Sequence, residues 1–354
     1  MLITQGSFAT NRAYIDNNWV DGGIKVADNK LTSYGEAAGV EGMALPGFVD
    51  LQVNGHGGID ILKAKDVAEI RKLSRSLFNS GVAAYLPTLI TGPIDNHLRV
   101  ISLLEQVRKE PMPGEAVIIG THLEGPFISP DKPGVHPVKY ILEPDLKLLG
   151  EFIRAGKISQ VTIAPERAGA IEAIKFLVDS GVVVSLGHSN ANTKESNAGF
   201  DAGARTVTHL WNAMRKNSES ESGLAQVALE REDVIVQLII DGVHLDKQLA
   251  IDSIKQCANR FIVTVDAVAA AGLGDGSFAL GEVEINVKEN RATRADGTLA
   301  GGVGSLRNSL SLMWEYGVAL EDAIDSLTSR PADLMGVPEL GRLNLGSPAQ
   351  IWSF

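Results

Sequence analysis

Cysteine is nearly missing from this chain: Cys257 is the single one in 354 residues. That excludes an intramolecular disulfide and a thiolate metal cluster, and it fits a reducing compartment. Positive charge is in deficit, with 32 Lys and Arg against 43 Asp and Glu and a net charge of −11, so no nucleic-acid-coating surface is expected. The stretch Met1–Val20 holds no long apolar run, being interrupted by Asn11, Asp16, Asn17 and Asn18. This argues against a signal peptide or membrane anchor. Internal repeats and low-complexity segments are lacking as well. A hydrophobic content of 44% with 21% charged residues excludes wholesale disorder. The expectation is a cytoplasmic globular protein with neither a nucleic-acid nor a membrane partner.

What the chain does contain is a series of short apolar runs, each followed by polar or Gly-rich residues. They are Phe48–Val53, Ala83–Leu89, Ala116–Leu123, Gln160–Ala164, Val182–Leu186, Thr206–Leu210, Val234–Ile240 and Phe261–Val265. Several are rich in Val, Ile and Thr, as strands of a parallel sheet buried on both faces should be. Between them, Asp66–Ser80, Asp95–Lys109, Ala168–Ser180 and Lys247–Ala258 carry helical periodicity, with Asp66 and Asp95 as expected N-caps and Gly81 and Gly181 as stops. Eight strands alternating with helices predict an α/β fold, a (β/α)8 TIM-like barrel. The competing open, doubly wound sheet lacks its Gly-rich phosphate fingerprint at the first strand-to-helix turn.

The two ends do not fit the barrel. Met1–Ala44 alternates polar and apolar residues around turn signals at Asp21-Gly22-Gly23 and Asp28-Asn29, and Gly341–Phe354 reads as a turn and a strand. Both ends are expected to pair into a small β-sandwich of residues 1–44 plus 337–354, beside a barrel over 45–336. After the eighth strand, Phe278–Thr298 reads as a solvated hairpin, from its alternation of Glu282, Glu284, Lys288, Glu289 and Arg291.

In such a barrel, side chains at the carboxyl ends of the strands converge on one mouth. The candidates at these ends are Gln52, Asn54, Glu124, His188, His209, Asn212, Asp241, His244 and Asp266, with His136 in the loop after the third strand. Glu124, His188 and His209 share no local spacing. One carboxylate and two imidazoles suit a divalent metal with a coordination position left open for water; three hydrogen-bonded polar residues capping the barrel are the alternative. Asp266 is a candidate general base or the N-cap of a following helix. His122 shares a face with Glu124 and is expected one layer down, donating to the ligands. His56, in a Gly-rich turn, and His97, on a helix, read as structural.

Six stretches then stand out: Leu45-Pro46-Gly47-Phe48-Val49-Asp50-Leu51-Gln52-Val53-Asn54-Gly55, His122-Leu123-Glu124-Gly125-Pro126-Phe127, Gly187-His188-Ser189-Asn190-Ala191, Thr208-His209-Leu210-Trp211-Asn212-Ala213-Met214, Asp241-Gly242-Val243-His244 and Val263-Thr264-Val265-Asp266-Ala267. In this order they resemble the N-acetylglucosamine-6-phosphate deacetylase family of the amidohydrolase superfamily, over a span from about Leu45 to Gly346. The resemblance implies that Glu124, His188 and His209 bind one divalent metal ion, usually Zn2+. It implies that Asp266 accepts a proton from the attacking water and returns it to the departing amine. His136, in Lys132-Pro133-Gly134-Val135-His136, would polarise the acetamide carbonyl. Val135, Asn212, Ala213 and His244 would contact the sugar phosphate, His244 entering from the second subunit of a homodimer. Leu299-Ala300-Gly301 would close over the acetyl group. The implied reaction is hydrolysis of N-acetylglucosamine 6-phosphate to acetate and the amino-sugar phosphate, with the galactosamine epimer as the alternative.

Two positions depart from the pattern. Many amidohydrolases bind two metals through His-x-His on the first strand; Gln52 and Asn54 stand there instead, and an uncharged amide is a poor zinc ligand beside imidazole. One tightly held ion is therefore expected. Counting without gaps from Asn212-Ala213 to Gly223-Leu224, the family's phosphate-binding arginine falls on Ser220, leaving Arg215, Lys216 and Arg231 as nearby cations. Two readings of other kinds are a cyclic-amide or aminoacylase-type hydrolase, which usually retains His-x-His, and a non-catalytic sugar-binding barrel, which usually loses a ligand or the base.

Overall fold

A computed structural model describes residues 6–8, 10–28, 30–36, 42–217, 221–346 and 351–353. All eight expected barrel strands are present, at Phe48–Val53, Val82–Ile90, Val117–Ile118 with Thr121–Glu124, Ile158–Ile163, Val183–Leu186, Thr206–Val207, Ile235–Ile239 and Phe261–Thr264. Each pairs in parallel with the next. Nearly all their residues are buried, as a sheet wrapped by helices and filled inside by its own side chains requires.

The seam between the first and eighth strands is closed differently. Among the described residues it carries one isolated bridge, Val53 to Ala267, where Asn54 N donates to Ala267 O over 2.7 Å and Ala267 N to Gln52 O over 3.2 Å. Lower in the seam the buried Asp50 carboxyl accepts from the Thr264 hydroxyl and from Gln52 N.

Several strands are shorter or more broken than their apolar runs, the third, sixth and eighth for reasons visible in the backbone. The third is interrupted at Gly120, where a Cβ would stand 2.0 Å from Ser159 Oγ. The sixth ends before His209, whose φ of 35° leaves the extended region, and the eighth before Asp266, whose φ is 55°. The helix Val67–Asn79 is capped by Asp66, which accepts from Glu69 N, and stops at Gly81 with φ 98°. Asp95 is not an N-cap: its helix, Ile94–Lys109, begins one residue earlier, after Pro93. Asp95 therefore sits in the first turn, where its charge still suits the positive helix end.

The chain ends form two small sheets. Gly6–Phe8, Gly23–Ala27 and Lys30–Glu36 make one; Ile351–Ser353, Met43–Pro46, Arg12–Ile15 and Asn18–Asp21 make the other. Ile15, Ile24, Val26, Leu31 and Leu343 form a core of their own between them. Gly22 and Asp28 take positive φ at the expected turns, while Asn29 lies outside the described residues. The segment after the eighth strand is not a solvated hairpin. It is a three-stranded antiparallel meander, Gly276–Leu280, Val283–Lys288 and Arg291–Thr293. Its alternation exposes Glu284 and Lys288 but buries Leu280, Ile285, Val287 and Ala292, because period two turns every second side chain to the barrel. Asp60 Oδ2 ties it down by accepting from Gly281 N over 2.5 Å.

Candidate functional site

At the carboxyl ends of the strands lies a cavity of 460 Å³ into which Glu124, His188 and His209 converge. Their ligand atoms lie within 4.8 Å of one another. His209 Nε2 is 2.8 Å from Glu124 Oε1 and 3.1 Å from His188 Nε2, and His188 Nε2 is 3.3 Å from the same oxygen. Burial pushes the Glu124 carboxyl up, but the surrounding imidazoles of His136, His188 and His209 outweigh it and hold the group well below the usual range. Glu124 is thus a carboxylate at neutral pH. His188 Nδ1 faces the Lys132 carbonyl at 2.9 Å. A carbonyl only accepts, so Nδ1 carries the ring proton and Nε2 turns a lone pair inward. Burial, and then the neighbouring His136, lower the pKa of His188 and keep that lone pair. Two imidazole nitrogens and a carboxylate oxygen meeting at one buried point fit a divalent metal that prefers nitrogen and oxygen donors.

The first strand frames this group. Gln52 Nε2 donates to Glu124 Oε1 over 2.8 Å, and Asn54 Nδ2 donates to Asp266 Oδ1 over 2.7 Å. Burial, reinforced by the charge of Glu124, pushes the Asp266 carboxyl well above its ordinary range. The N-cap reading of Asp266 fails, because the next helix starts at Leu306. Gly301 packs on this acid: with φ 86°, its Cβ would stand 2.6 Å from Asp266 O and 3.5 Å from Asp266 Oδ2. Positive φ recurs at His188, His209, Trp211, Ala213 and Asp266, and strained non-glycine backbone of this kind clusters where function constrains a chain.

His136 is buried beside the group, with Nε2 3.7 Å from Glu124 Oε2. Its Nδ1 receives the Thr91 backbone N–H over 3.2 Å and lies 2.9 Å from the Thr91 hydroxyl. An N–H can only donate, so His136 carries its own proton on Nε2 when neutral. Val135, Asn212, Ala213, His244 and Leu299 also line the cavity. His244 does so with Nδ1 2.7 Å from Asp241 Oδ2. Loop geometry explains this: Asp241 Oδ1 accepts from the Val243 and His244 amides and folds the turn back to the mouth.

Other expectations resolve plainly. His122 does lie one layer down, but it bonds Thr162 Oγ1 at 2.7 Å and Thr88 Oγ1 at 3.2 Å rather than the ligands, and burial lowers its pKa to about 4. His56 and His97 are buried against Ser76 and backbone carbonyls. Ser220 lies outside the described residues. Arg215 is paired with Glu221 at 2.8 Å, and Arg231 with Asp201 and Asp233 at 2.7 Å each; neither they nor Lys216 line the cavity, whereas Lys132 does. Sequence reading passed over Thr91 and Glu166. Glu166 accepts from Ser189 Oγ at 2.7 Å and Asn190 N at 2.6 Å and braces the loop carrying His188. Both stand just beyond strand ends, the second and the fourth, which is the signal that could have found them.

The Amidohydrolase family profile matches residues 43–354. The chain is 36% identical over 327 residues to an N-acetylglucosamine-6-phosphate deacetylase of Caenorhabditis elegans, covering 86% of this chain and 77% of that protein. It is 32% identical over 312 residues to an N-acetylgalactosamine-6-phosphate deacetylase of Escherichia coli O157:H7, covering 86% and 82%. A solved structure of N-acetyl-D-glucosamine-6-phosphate deacetylase from Mycobacterium smegmatis, in complex with N-acetyl-D-glucosamine-6-phosphate, superposes with a TM-score of 0.91 at 29% identity, covering 99% of this chain and 95% of that one.

Proposed function

The chain belongs to the amidohydrolase family and, within it, to the N-acetylglucosamine-6-phosphate deacetylases, and we propose from that premise that it hydrolyses N-acetylglucosamine 6-phosphate to acetate and glucosamine 6-phosphate. The observation that carries the reading is the convergence of Glu124, His188 and His209 beside a buried acid, Asp266, and an imidazole donor, His136.

Glu124, His188 and His209 would hold one divalent ion, and Zn2+ suits two imidazoles and a carboxylate. Bound there, it supplies the positive charge that acidifies water and polarises an amide carbonyl. The chain's own groups do the rest. Asp266, with one oxygen held by Asn54, accepts a proton from the attacking water as hydroxyl adds to the acyl carbon. It then delivers that proton to the amide nitrogen as the C–N bond breaks, because the nitrogen leaves as an amine only when protonated. His136 Nε2–H donates to the carbonyl oxygen as negative charge grows on it. Val135, Asn212, Ala213 and His244 bind the sugar phosphate, and Leu299 and Gly301 cover the acetyl group. A homodimer in a reducing cytoplasm, with residues 1–44 and 337–354 forming a unit beside a barrel of 45–336, completes the proposal. The likeness to an N-acetylgalactosamine-6-phosphate deacetylase makes that epimer the second reading.

The test is acetate release, with zinc present, from N-acetylglucosamine and N-acetylgalactosamine, each with and without the 6-phosphate. Release confined to one phosphorylated sugar supports the reading and names the epimer. Release from neither phosphorylated sugar overturns it.

A further inference from the structure

We infer that Lys132 recognises the anionic, phosphate-bearing end of the substrate; this rests on the function proposed above and assigns its charge specificity to one side chain. The cavity walls carry the acids Glu124, Asp131 and Asp266, and among the described lining residues Lys132 is the single lysine or arginine. In a chain of net charge −11, a sugar-phosphate dianion gains no help from the overall field and needs a local cation. The nearby arginines are already used: Arg215 by Glu221, and Arg231 by Asp201 and Asp233. The undescribed stretch 218–220 reads Ser-Glu-Ser and contains no cation.

Lys132, by contrast, has no ion pair among the described residues. The adjacent acid, Asp131, is engaged by Asn190 Nδ2 at 3.3 Å. The backbone holds the lysine in place: its carbonyl receives His188 Nδ1 over 2.9 Å. Two residues on, a Cβ at Gly134 would stand 3.0 Å from His188 Cε1 and 3.7 Å from Ala213 Cβ. The loop therefore runs between the metal-binding group and Ala213, and a flexible ammonium at 132 can serve as a point charge to phosphate.

The experiment compares zinc-loaded wild type, Lys132→Met and Lys132→Arg on N-acetylglucosamine 6-phosphate and N-acetylglucosamine. Lys132→Met is expected to raise KM for the phosphorylated sugar about 10- to 100-fold, the range of one charged hydrogen bond. The preference for the phosphorylated over the plain sugar should shrink by the same factor, and Lys132→Arg should restore most of it. An unchanged preference, or an equal loss on both sugars, overturns the assignment. Calorimetric titration with glucosamine 6-phosphate and glucosamine reads the same discrimination without turnover: Lys132→Met should weaken the first and spare the second, and equal effects on both count against it. Wild type inactive on both sugars would remove the functional reading, while the calorimetric comparison would still decide the role of Lys132.

Discussion

His136 and His188 stand with ring centroids 4.4 Å apart and in opposite tautomers. The Thr91 N–H donates to Nδ1 of His136, whereas Nδ1 of His188 donates to the Lys132 carbonyl. One backbone donor and one backbone acceptor thus leave two identical side chains offering an N–H at Nε2 of His136 and a lone pair at Nε2 of His188. Nitrogen-15 NMR of the imidazoles should find the proton of His136 on Nε2 and that of His188 on Nδ1. His136→Ala should cost about 10²–10³ in kcat with bound zinc retained, and His136→Gln should recover part of it. Loss of the metal from His136→Ala would contradict this division of roles.

Asp266 and its partner Asn54 lead to a second expectation. Asp266→Asn keeps the shape of the site but removes the proton acceptor and donor together, so turnover should fall by about 10²–10⁴ or more with zinc stoichiometry intact. Metal analysis alongside acetate release checks both halves. Near-normal turnover would sink the assignment.

Glu166 should govern metal affinity without touching the metal. It holds Ser189 and Asn190, and Ser189 N in turn donates to Ala213 O over 3.1 Å, so His188 keeps its unfavourable φ of 46°. Glu166→Gln should weaken zinc binding about 10- to 100-fold, as is common for groups that orient ligands, measured by competition with a chromophoric chelator. His188→Ala should abolish tight binding altogether. Equal affinities of Glu166→Gln and wild type would show that the brace is not needed.

Asp60 predicts a pH dependence. Burial pushes its carboxyl up to about 6 from an ordinary 3.8, against the lowering effect of the Gly281 and Leu62 amides. The unfolded chain loses this proton near pH 4, so between about pH 4 and 6 the folded state binds more protons. Stability is then fully present below about pH 4 and declines as pH rises through 6, by roughly 3 kcal/mol for two pKa units. Asp50, pushed by burial to about 6 as well, acts with the same sign. Asp60→Asn should therefore roughly halve the decline of melting temperature across this window, even though it loses an acceptor for Gly281 N and is less stable overall. An unaltered slope would mean that Asp60 does not titrate there.

The barrel was legible from eight apolar runs, several of them rich in Val, Ile and Thr, because burial on both faces leaves a mark in each strand separately. The small β-unit showed in the period-two alternation of the chain ends. Glu124, His188 and His209, which the fold brings together, were legible as types at strand ends, and the motifs around them and Asp266 carried the resemblance. Other features were not legible, since they depend on atoms brought together across long separations. The meander's buried face, the hold of Asp241 on the His244 ring, and the capture of Arg215 and Arg231 by acids are of this kind. So are the roles of Thr91 and Glu166, ordinary residues whose importance lies in which backbone or side-chain atom they meet. The sequence by itself determined the architecture and the chemical alphabet of the site, because periodicity and residue type are local properties. Only the tertiary structure decided which nitrogen of each histidine carries a proton and which cation is left for the substrate, because hydrogen bonds and ion pairs are settled between whole side chains in three dimensions.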